Sequence, residues 1–499
     1  MRSPPDPPRV ADLLRASDAL LEQDRYRDSL HCVLQAFESA DREPERLIPL
    51  CQRLRRFHES ERALALIANA DPERFSSAAE RTELASLASR CGDQALAEAW
   101  VERAVSADPM HAPAQYLRGV VAMFRGDMPQ ARFALSACLA IDPEFAQAHW
   151  VLSTLPCDGP AGDADAPGRI RACLARTQAG GVGEAYLRFA LHNALHALGR
   201  YDEAWDALER GCALRRTQVP YDPRESESLF AALESLYTPG LLEPVDAPAG
   251  GFTPIFIVGM HRSGSTLLER ILGGHPSVAD GGESYAFTAQ LDFAADHRTV
   301  GALDATTLQR VAGADFAGIG AGFMRASGWR ARGRPFLTEK LPMNLLNAGL
   351  VARALPQAKL IRVVRDPMDT CFSNLRTFFA GAAPYSSDQR QLAGHFLRCE
   401  RLARHLQHAM PGRMLDVAYR DLVDDTDAVA RRVFDFCGLP FAPEALAIDR
   451  ESGAVATASA TTVRAGILRN RGGAWRPYAR WLQPLRDALG GGSGPGRPG

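Results

Sequence analysis

The chain has 499 residues, of which 46% are hydrophobic and 23% are charged, a balance typical of a folded protein rather than of a disordered chain. Its 57 basic and 59 acidic residues give a formal net charge of −2, which argues against a surface that coats nucleic acid. At about 100–200 residues per domain, the length accommodates two to four domains.

The N-terminal residues carry no recognisable targeting signal. Residues 1–12 are rich in proline and no apolar run follows them, so we expect no signal peptide. No stretch approaches the roughly 20 apolar residues of a membrane span. The ten cysteines include no C-x-x-C pair, so we expect neither a disulfide framework nor a metal site. The sequence thus predicts a cytoplasmic protein that binds neither membrane nor nucleic acid.

Residues 10–237 carry helical spacing with a 34-residue repeat. Gly92-Asp93 recurs as Gly126-Asp127, and the small residues at 97 and 104 recur at 131 and 138. Small residues let paired helices approach closely, and an Asp-Pro pair, at 108 and again at 142, ends one helix pair. The pattern resembles the tetratricopeptide repeat (TPR) and predicts an α-solenoid of TPR-like helix pairs whose concave face suits a protein partner. A generic helical bundle is the alternative.

A different pattern follows a linker marked by proline and glycine at 238–251. The runs at 254–258 and 359–364 are short and apolar, and each precedes a turn and a helical stretch. This alternation predicts a parallel α/β sheet, so the fold class is an α-helical region joined to an α/β domain. We place the α/β domain at 252–489 and a disordered tail at 490–499.

The first apolar strand leads into a glycine-rich loop, Gly259–Thr266, with the spacing G-x-x-x-x-G. Such a turn directs backbone N–H groups and a helix N-terminus at one point, which suits a phosphate. In a nucleotide-binding P-loop a lysine follows the second glycine, whereas here Ser265 stands there and the basic residue is Arg262 inside the loop. A P-loop phosphotransferase with an altered loop is therefore the second interpretation.

An arginine and a serine follow the strand at 359–364. Arg365 stands at the strand's end, and Ser373 lies eight residues later on the first turns of the next helix. A guanidinium and a hydroxyl at this spacing can close on one phosphate.

Together, the two segments resemble the nucleotide-activated sulfotransferases, and most of all the tyrosylprotein sulfotransferases and their bacterial relatives. The resemblance covers residues 253–489 and implies transfer of a sulfuryl group from 3′-phosphoadenosine-5′-phosphosulfate (PAPS) to a hydroxyl, without a metal. It implies a 3′-phosphate site at Arg365 and Ser373. The residues that match the family's 5′-phosphosulfate loop are Arg262, Ser263, Gly264, Ser265 and Thr266.

The resemblance also implies the catalytic residues. Glu283, in the segment Asp-Gly-Gly-Glu-Ser, matches the family's base, although His261 and His275 are rival bases because an ordinary histidine pKa lies near 6.5. Lys340 matches the family's catalytic lysine, and it is one of only two lysines in the chain. A compact ammonium can donate to the bridging oxygen of the leaving group, while Arg262 helps to neutralise charge on the transferring group.

The remaining site residues are also implied by the family. Tyr419 matches an adenosine-contacting tyrosine, and Arg464 matches a basic residue that reaches the nucleotide. A late serine matches both Ser452 and Ser459, and the choice between them stays open. The acceptor is open among a protein tyrosine, a glycan, a lipid and a small phenol. A third interpretation is a TPR scaffold whose α/β half binds nucleotide without turnover.

Overall fold

A computed structural model describes residues 9–40, 44–156, 163–246, 250–448 and 472–490. Up to residue 236 the described chain is helical, and from residue 253 it combines helices with a parallel sheet. No helix within these ranges is long and apolar enough to cross a membrane. The sites predicted at Ser452, Ser459 and Arg464, and the tail beyond residue 490, lie outside the described residues.

The helical region consists of consecutive helices that pack on one another, including the pairs α1–α2, α5–α6, α7–α8 and α11–α12. Their bounds are α1 Val10–Glu22, α2 Tyr26–Glu38, α3 Leu47–Arg56, α4 Ser60–Ala68, α5 Ala78–Arg90, α6 Gln94–Ala107, α7 Ala112–Arg125, α8 Met128–Ile141, α9 Ala146–Thr154, α10 Ala166–Leu174, α11 Val182–Ala197, α12 Tyr201–Gln218 and α13 Pro223–Leu236.

The 34-residue spacing corresponds to two equivalent helix pairs, α5–α6 and α7–α8. Gly92 and Gly126 follow the first helix of each pair with φ of +98° and +95°. Asp93 and Asp127 then cap the second helix, because each carboxylate accepts a hydrogen bond from the backbone N–H three residues later. Four residues after each aspartate, an alanine is fully buried. The two pairs are therefore built in the same way at corresponding positions.

The second region is built on a five-stranded parallel sheet with the order β2-β3-β1-β4-β5. The two apolar runs predicted as strands correspond to β1 and β4. In a parallel sheet the carboxyl ends of all strands lie at one edge, and ligands bind there, where the strand order reverses. The strands are β1 Thr253–Gly259, β2 Val278–Ala279, β3 Phe336–Glu339, β4 Lys359–Val364 and β5 Met414–Ala418.

Helices cover both faces of the sheet. Ile255 and Ile257 of β1 pack with α14 and α22 in one apolar cluster, whereas Phe256 and Val258 belong to another cluster with α15, α17 and α20. The helices of this region are α14 Ser265–Leu272, α15 Ala286–Ala295, α16 Ala305–Val311, α17 Phe316–Ala331, α18 Ala348–Ala354, α19 Pro367–Leu375, α20 Gln389–Ala409, α21 Tyr419–Asp424, α22 Thr426–Cys437 and α23 Gln483–Gly490.

The cluster on the second face continues into the helical region. Phe189 of α11 and Leu208 of α12 belong to the same buried cluster as Phe256 of the central strand. Trp205 of α12 also stacks on Trp481, with ring centroids 5.5 Å apart. Apolar packing therefore crosses the linker predicted at 238–251, and the predicted domain bounds stay a prediction.

The N-terminal helices contact the sheet domain at a second, separate place. The Nη2 atom of Arg310 donates to the Asp24 carboxylate at 2.7 Å. The Nε atom of Arg27 donates to the carbonyl oxygen of Phe293, also at 2.7 Å. The helical region is thus joined to the sheet domain near α2 as well as near α12.

Candidate active site

Each of the five strands is followed at its carboxyl end by a residue that the sequence predicted for the site. The loop with Arg262 follows β1, Glu283 follows β2, Lys340 follows β3, Arg365 follows β4 and Tyr419 follows β5. The sheet therefore brings to one edge residues that are far apart in the sequence.

The loop between β1 and α14 turns at two glycines with positive φ, Gly259 at +142° and Gly264 at +104°. A Cβ atom on Gly259 would lie 2.8 Å from the carbonyl oxygen of Val363, and one on Gly264 would lie 2.2 Å from Cδ2 of Tyr419. Any side chain would collide there, so both positions require glycine. The loop backbone consequently lies directly against β4 and against the Tyr419 ring.

The hydroxyl side chains of the loop and of the first turn of α14 are buried. Ser265 and Thr266 form the first turn of α14, and their side chains are almost inaccessible. Ser263 is 1% exposed, and its Oγ atom has no hydrogen-bond partner among the described residues. A helix N-terminus favours a bound anion, and a buried hydroxyl without a partner is costly unless a ligand bonds to it. The loop therefore fits an anionic ligand.

The two arginine segments meet at this loop. The Nε atom of Arg262 donates to Oγ of Ser373 at 3.1 Å, and Nη1 of Arg365 donates to the carbonyl oxygen of Arg262 at 3.3 Å. The Arg365 guanidinium lies 4.7 Å from the centre of the Tyr419 ring, a cation–π contact. The structure thus brings all four residues together, including the contact between Arg262 and Ser373 that the sequence did not predict.

Lys340 and Glu283 form an ion pair beside the loop. The Lys340 side chain is 1% exposed, and its Nζ atom lies 2.5 Å from Oε1 of Glu283 and 4.0 Å from Oε2 of Glu269. Burial lowers the pKa of Lys340, but the two carboxylates outweigh burial and leave that pKa raised. Lys340 is therefore a buried cation, whereas the Glu283 side chain is 39% exposed and accessible from solvent.

A buried acid pair behind Lys340 was missed by the sequence analysis. Burial, together with neighbouring Asp280, raises the pKa of Glu269 well above its ordinary value, and burial also raises the pKa of Asp280. Each of these adjacent buried carboxyl groups disfavours the charged form of the other, so the pair binds protons more strongly than exposed carboxylates do. The position of Glu269, one helical turn after Ser265 on the helix that follows the loop, is the signal that could have identified it.

His261 lies within the loop between β1 and α14. Its Nδ1 atom is 2.9 Å from the hydroxyl oxygen of Tyr385, and its carbonyl oxygen accepts a hydrogen bond from Nδ2 of Asn374 at 2.7 Å. Burial lowers the pKa of His261 to about 4 despite the opposing charge of Glu283. The imidazole is therefore neutral at neutral pH.

His275, the other rival base, makes its hydrogen bonds elsewhere. Its Nε2 atom lies 3.1 Å from the carbonyl oxygen of Pro440, and its Nδ1 atom accepts from the backbone N–H of Ser277 at 3.1 Å. Both ring nitrogens are thus occupied by backbone groups outside the cluster around Lys340.

Comparison with known proteins gives a family for the sheet domain. Residues 254–443 match the model of the sulfotransferase family. The match runs from the second residue of β1 past β5, and it includes the loop between β1 and α14 and the residues at 283, 340, 365 and 419. The chain therefore carries a sulfotransferase-family domain.

Individual relatives match over different shares of the chain. An uncharacterized protein of Aquifex aeolicus (strain VF5) is 29% identical over 328 residues, which are 60% of this chain and 41% of that protein. A Caenorhabditis briggsae protein named "Putative protein-tyrosine sulfotransferase" is 26% identical over 195 residues, which are 38% of this chain and 68% of that protein. The solved sulfotransferase domain of the Synechococcus PCC 7002 olefin synthase is 22% identical, covers 51% of this chain and all of that domain, and has a TM-score of 0.34. This chain thus spans less than half the length of its Aquifex relative.

Proposed function

We propose that this protein is a sulfotransferase that moves a sulfuryl group from PAPS to a hydroxyl acceptor. The observation that carries the proposal is the Lys340–Glu283 ion pair, 2.5 Å long, beside the glycine-rich loop at the carboxyl edge of the sheet. The family match over residues 254–443 supports the same activity.

The donor would be held by the loop and by the segment after β4. Arg365 and Ser373 would hold its 3′-phosphate, and Tyr419 its adenosine. Arg464, outside the described residues, is assigned to the nucleotide by the resemblance. When bound, the donor supplies a sulfuryl group whose sulfur forms a bond to the acceptor oxygen as its bond to a phosphate oxygen breaks. The loop residues assigned to the 5′-phosphosulfate are Arg262, Ser263, Gly264, Ser265 and Thr266.

Three side chains of the site have proposed roles in the transfer itself. Glu283, being partly exposed, takes the proton of the acceptor hydroxyl. Lys340, whose pKa is raised by the carboxylates around it, stays cationic and neutralises negative charge beside the loop. Arg262 adds a second cation, held in place by its hydrogen bond to Ser373.

We also propose that the helical region is a TPR-like solenoid that recruits a protein partner in the cytoplasm. The equivalence of α5–α6 and α7–α8, with matching glycines, caps and buried alanines, supports this assignment.

A protein tyrosine is the acceptor that we favour, supported by the name of the C. briggsae relative. A glycan, a lipid and a small phenol are the alternatives that an acceptor screen should include.

Calorimetry without magnesium tests the nucleotide class. We expect 3′-phosphoadenosine-5′-phosphate to bind more tightly than ADP or AMP, and Arg365→Ala to remove that preference. Arg420→Ala is the matched control, because that side chain is 90% exposed and pairs with Asp424. Equal binding of ADP, or binding that requires magnesium, would favour the P-loop phosphotransferase instead. Donor binding with no sulfated product from any acceptor would favour the scaffold.

A further inference from the structure

We propose that His261 is a catalytic residue that acts as a hydrogen-bond donor through Nε2–H, and not as a base, and that Tyr385 is the positioning residue that fixes this tautomer. The inference rests on the proposed function and deepens it, because it assigns a further group beside Glu283, Lys340 and Arg262.

The tautomer follows from the surroundings of the Tyr385 hydroxyl. Its neighbours are Nδ1 of His261 at 2.9 Å and the sulfur atoms of Met260 and Met343 at 4.0 and 3.9 Å. Thioether sulfur is a weak acceptor, so the phenol donates its proton to Nδ1. A neutral imidazole has a single N–H, and with Nδ1 accepting, that hydrogen is on Nε2. The assignment comes from this hydrogen-bond network.

Packing fixes the position of the Tyr385 side chain beside His261. Its side chain is 2% exposed, and its ring stacks on that of His395 with centroids 3.6 Å apart and planes 12° apart. On the other side, the Phe379 ring lies 5.4 Å from that of His261. The imidazole is therefore in contact with both the Tyr385 hydroxyl and the Phe379 ring.

The imidazole of His261 lies close enough to the charged groups of the proposed site to feel their charges. The charged groups that act on the imidazole are Glu283, Lys340 and Arg262, with the neutral Tyr385 and His395 behind it. The hydrogen bonds that His261 makes to the described residues use Nδ1 and the backbone carbonyl oxygen, and none of them uses Nε2. A neutral donor placed there can bond an oxygen on which negative charge develops, without transferring a proton. Loss of one such donor typically costs about 10²–10³-fold in kcat.

Nitrogen-15 NMR of the full chain labelled in histidine tests the tautomer without turnover. We expect Nδ1 of His261 to show the shift of an unprotonated nitrogen and Nε2 that of an N–H, with no titration between pH 8 and about 5. Comparison with the spectrum of His261→Gln assigns the His261 signals. Tyr385→Phe removes the hydroxyl that donates to Nδ1, so the imidazole hydrogen should no longer be confined to Nε2. His31→Gln, on an exposed helical face, is the matched control. An Nδ1–H tautomer, or titration near pH 6.5, would overturn the inference.

Steady-state kinetics separates a donor from a base. We expect His261→Leu to lower kcat about 10²–10³-fold with little change in the donor's KM. His261→Gln, whose amide N–H can replace Nε2–H, should stay within about 10-fold of the unaltered protein. Tyr201→Phe, at a partly exposed tyrosine, is the control for Tyr385→Phe. Equal loss in the Gln and Leu variants, or full activity in His261→Leu, would overturn the role. If the unaltered chain yields no sulfated product, the proposed function fails together with this catalytic role, while the NMR result still decides the tautomer.

Discussion

At the scale of single residues, Lys340 and Glu283 form one ion pair but have different proposed roles. Glu283 must accept a proton, whereas Lys340 must keep its own. Glu283→Gln keeps a polar partner for Lys340 but removes the base, so we expect kcat to fall about 10²–10⁴-fold while nucleotide binding remains. Lys340→Arg should also fail, because the larger guanidinium does not fit a side-chain site that is 1% exposed. The measurements are turnover with PAPS and nucleotide affinity by calorimetry.

The chain's other lysine supplies the control for this pair. Lys359 begins β4, and its Nζ atom lies 5.4 Å from the centre of the Phe436 ring, away from the cluster. Lys359→Arg should keep normal turnover. Wild-type turnover in both Glu283→Gln and Lys340→Arg would show that neither side chain takes part in the chemistry.

Glu339 makes stability depend on pH. Burial raises its pKa from an ordinary 4.5 to about 8, and its Oε1 atom has no hydrogen-bond partner in the described part of the chain. Between these values the folded state binds the proton more strongly than the unfolded state does. The free energy of unfolding should therefore fall as pH rises from about 4.5 to about 8, by roughly a few kcal/mol at most.

Urea unfolding at pH 5 and pH 8 measures this effect. Glu339→Gln cannot ionise, so the variant should lose less stability than the unaltered protein between the two conditions. An identical pH dependence in both proteins would mean that Glu339 is not the titrating group.

The sequence identified some site residues and missed others for a physical reason. Arg262 and Arg365 could be found because each follows an apolar strand, and neighbouring parallel strands end at the same edge. Glu269 and Tyr385 do not follow a strand: Glu269 could have been found only from its place on the helix after the loop, and the role of Tyr385 depends on a side-chain contact across the fold. Tyr385 reaches the site from a segment 124 residues beyond His261.

At the scale of elements, the turn from β1 into α14 depends on the absence of a side chain at Gly264. Its φ is +104°, and a Cβ atom there would lie 2.2 Å from the Tyr419 ring, so alanine would strain the backbone and displace the ring. We expect Gly264→Ala to lower the free energy of unfolding by about 1–3 kcal/mol and to weaken nucleotide binding. Thermal melting and calorimetry would measure the two effects.

A second substitution separates the backbone strain at Gly264 from the collision with the Tyr419 ring. Combining Gly264→Ala with Tyr419→Ala removes the collision but not the positive φ, so it should recover part of the stability lost. If Gly264→Ala alone binds nucleotide normally, the close approach of Tyr419 to the loop is not needed for binding.

The strands differ in how far the sequence could predict them. β1 and β4 were predicted because they are continuous apolar runs that lie at the centre of the sheet. β2 consists of two residues, Val278–Ala279, at the sheet's edge, and so short a strand leaves no periodic pattern. Its position is fixed by pairing with β3, which is a long-range contact.

At the scale of the whole molecule, the shared apolar cluster should make the helical region and the sheet domain unfold together. Trp205, 6% exposed, stacks on Trp481 within this contact. We expect calorimetry to show one transition, and Trp205→Ala to lower its midpoint without splitting it, with a loss of about 3–5 kcal/mol. Two transitions, with only one shifted by Trp205→Ala, would show that the regions are independent.

The sequence indicated two regions but not the packing between them. Differences in local pattern along the chain show where one kind of structure gives way to another, but they carry no information about contacts that join distant segments. The hydrogen bonds that join the start of α2 and the turn before it to the sheet domain, Arg310 to the Asp24 carboxylate and Arg27 to the carbonyl oxygen of Phe293, have no motif around them.

The contact between Asp24 and Arg310 also constrains the order of events during synthesis. Their separation of 286 residues means that Asp24, in the turn before α2, leaves the ribosome long before its partner exists. At about 5–20 residues per second, the interval is roughly 15–60 s. During that time Asp24 and Arg27 are exposed to water and to other proteins, so this end of the nascent helical region is open to early partners before the sheet domain contacts it.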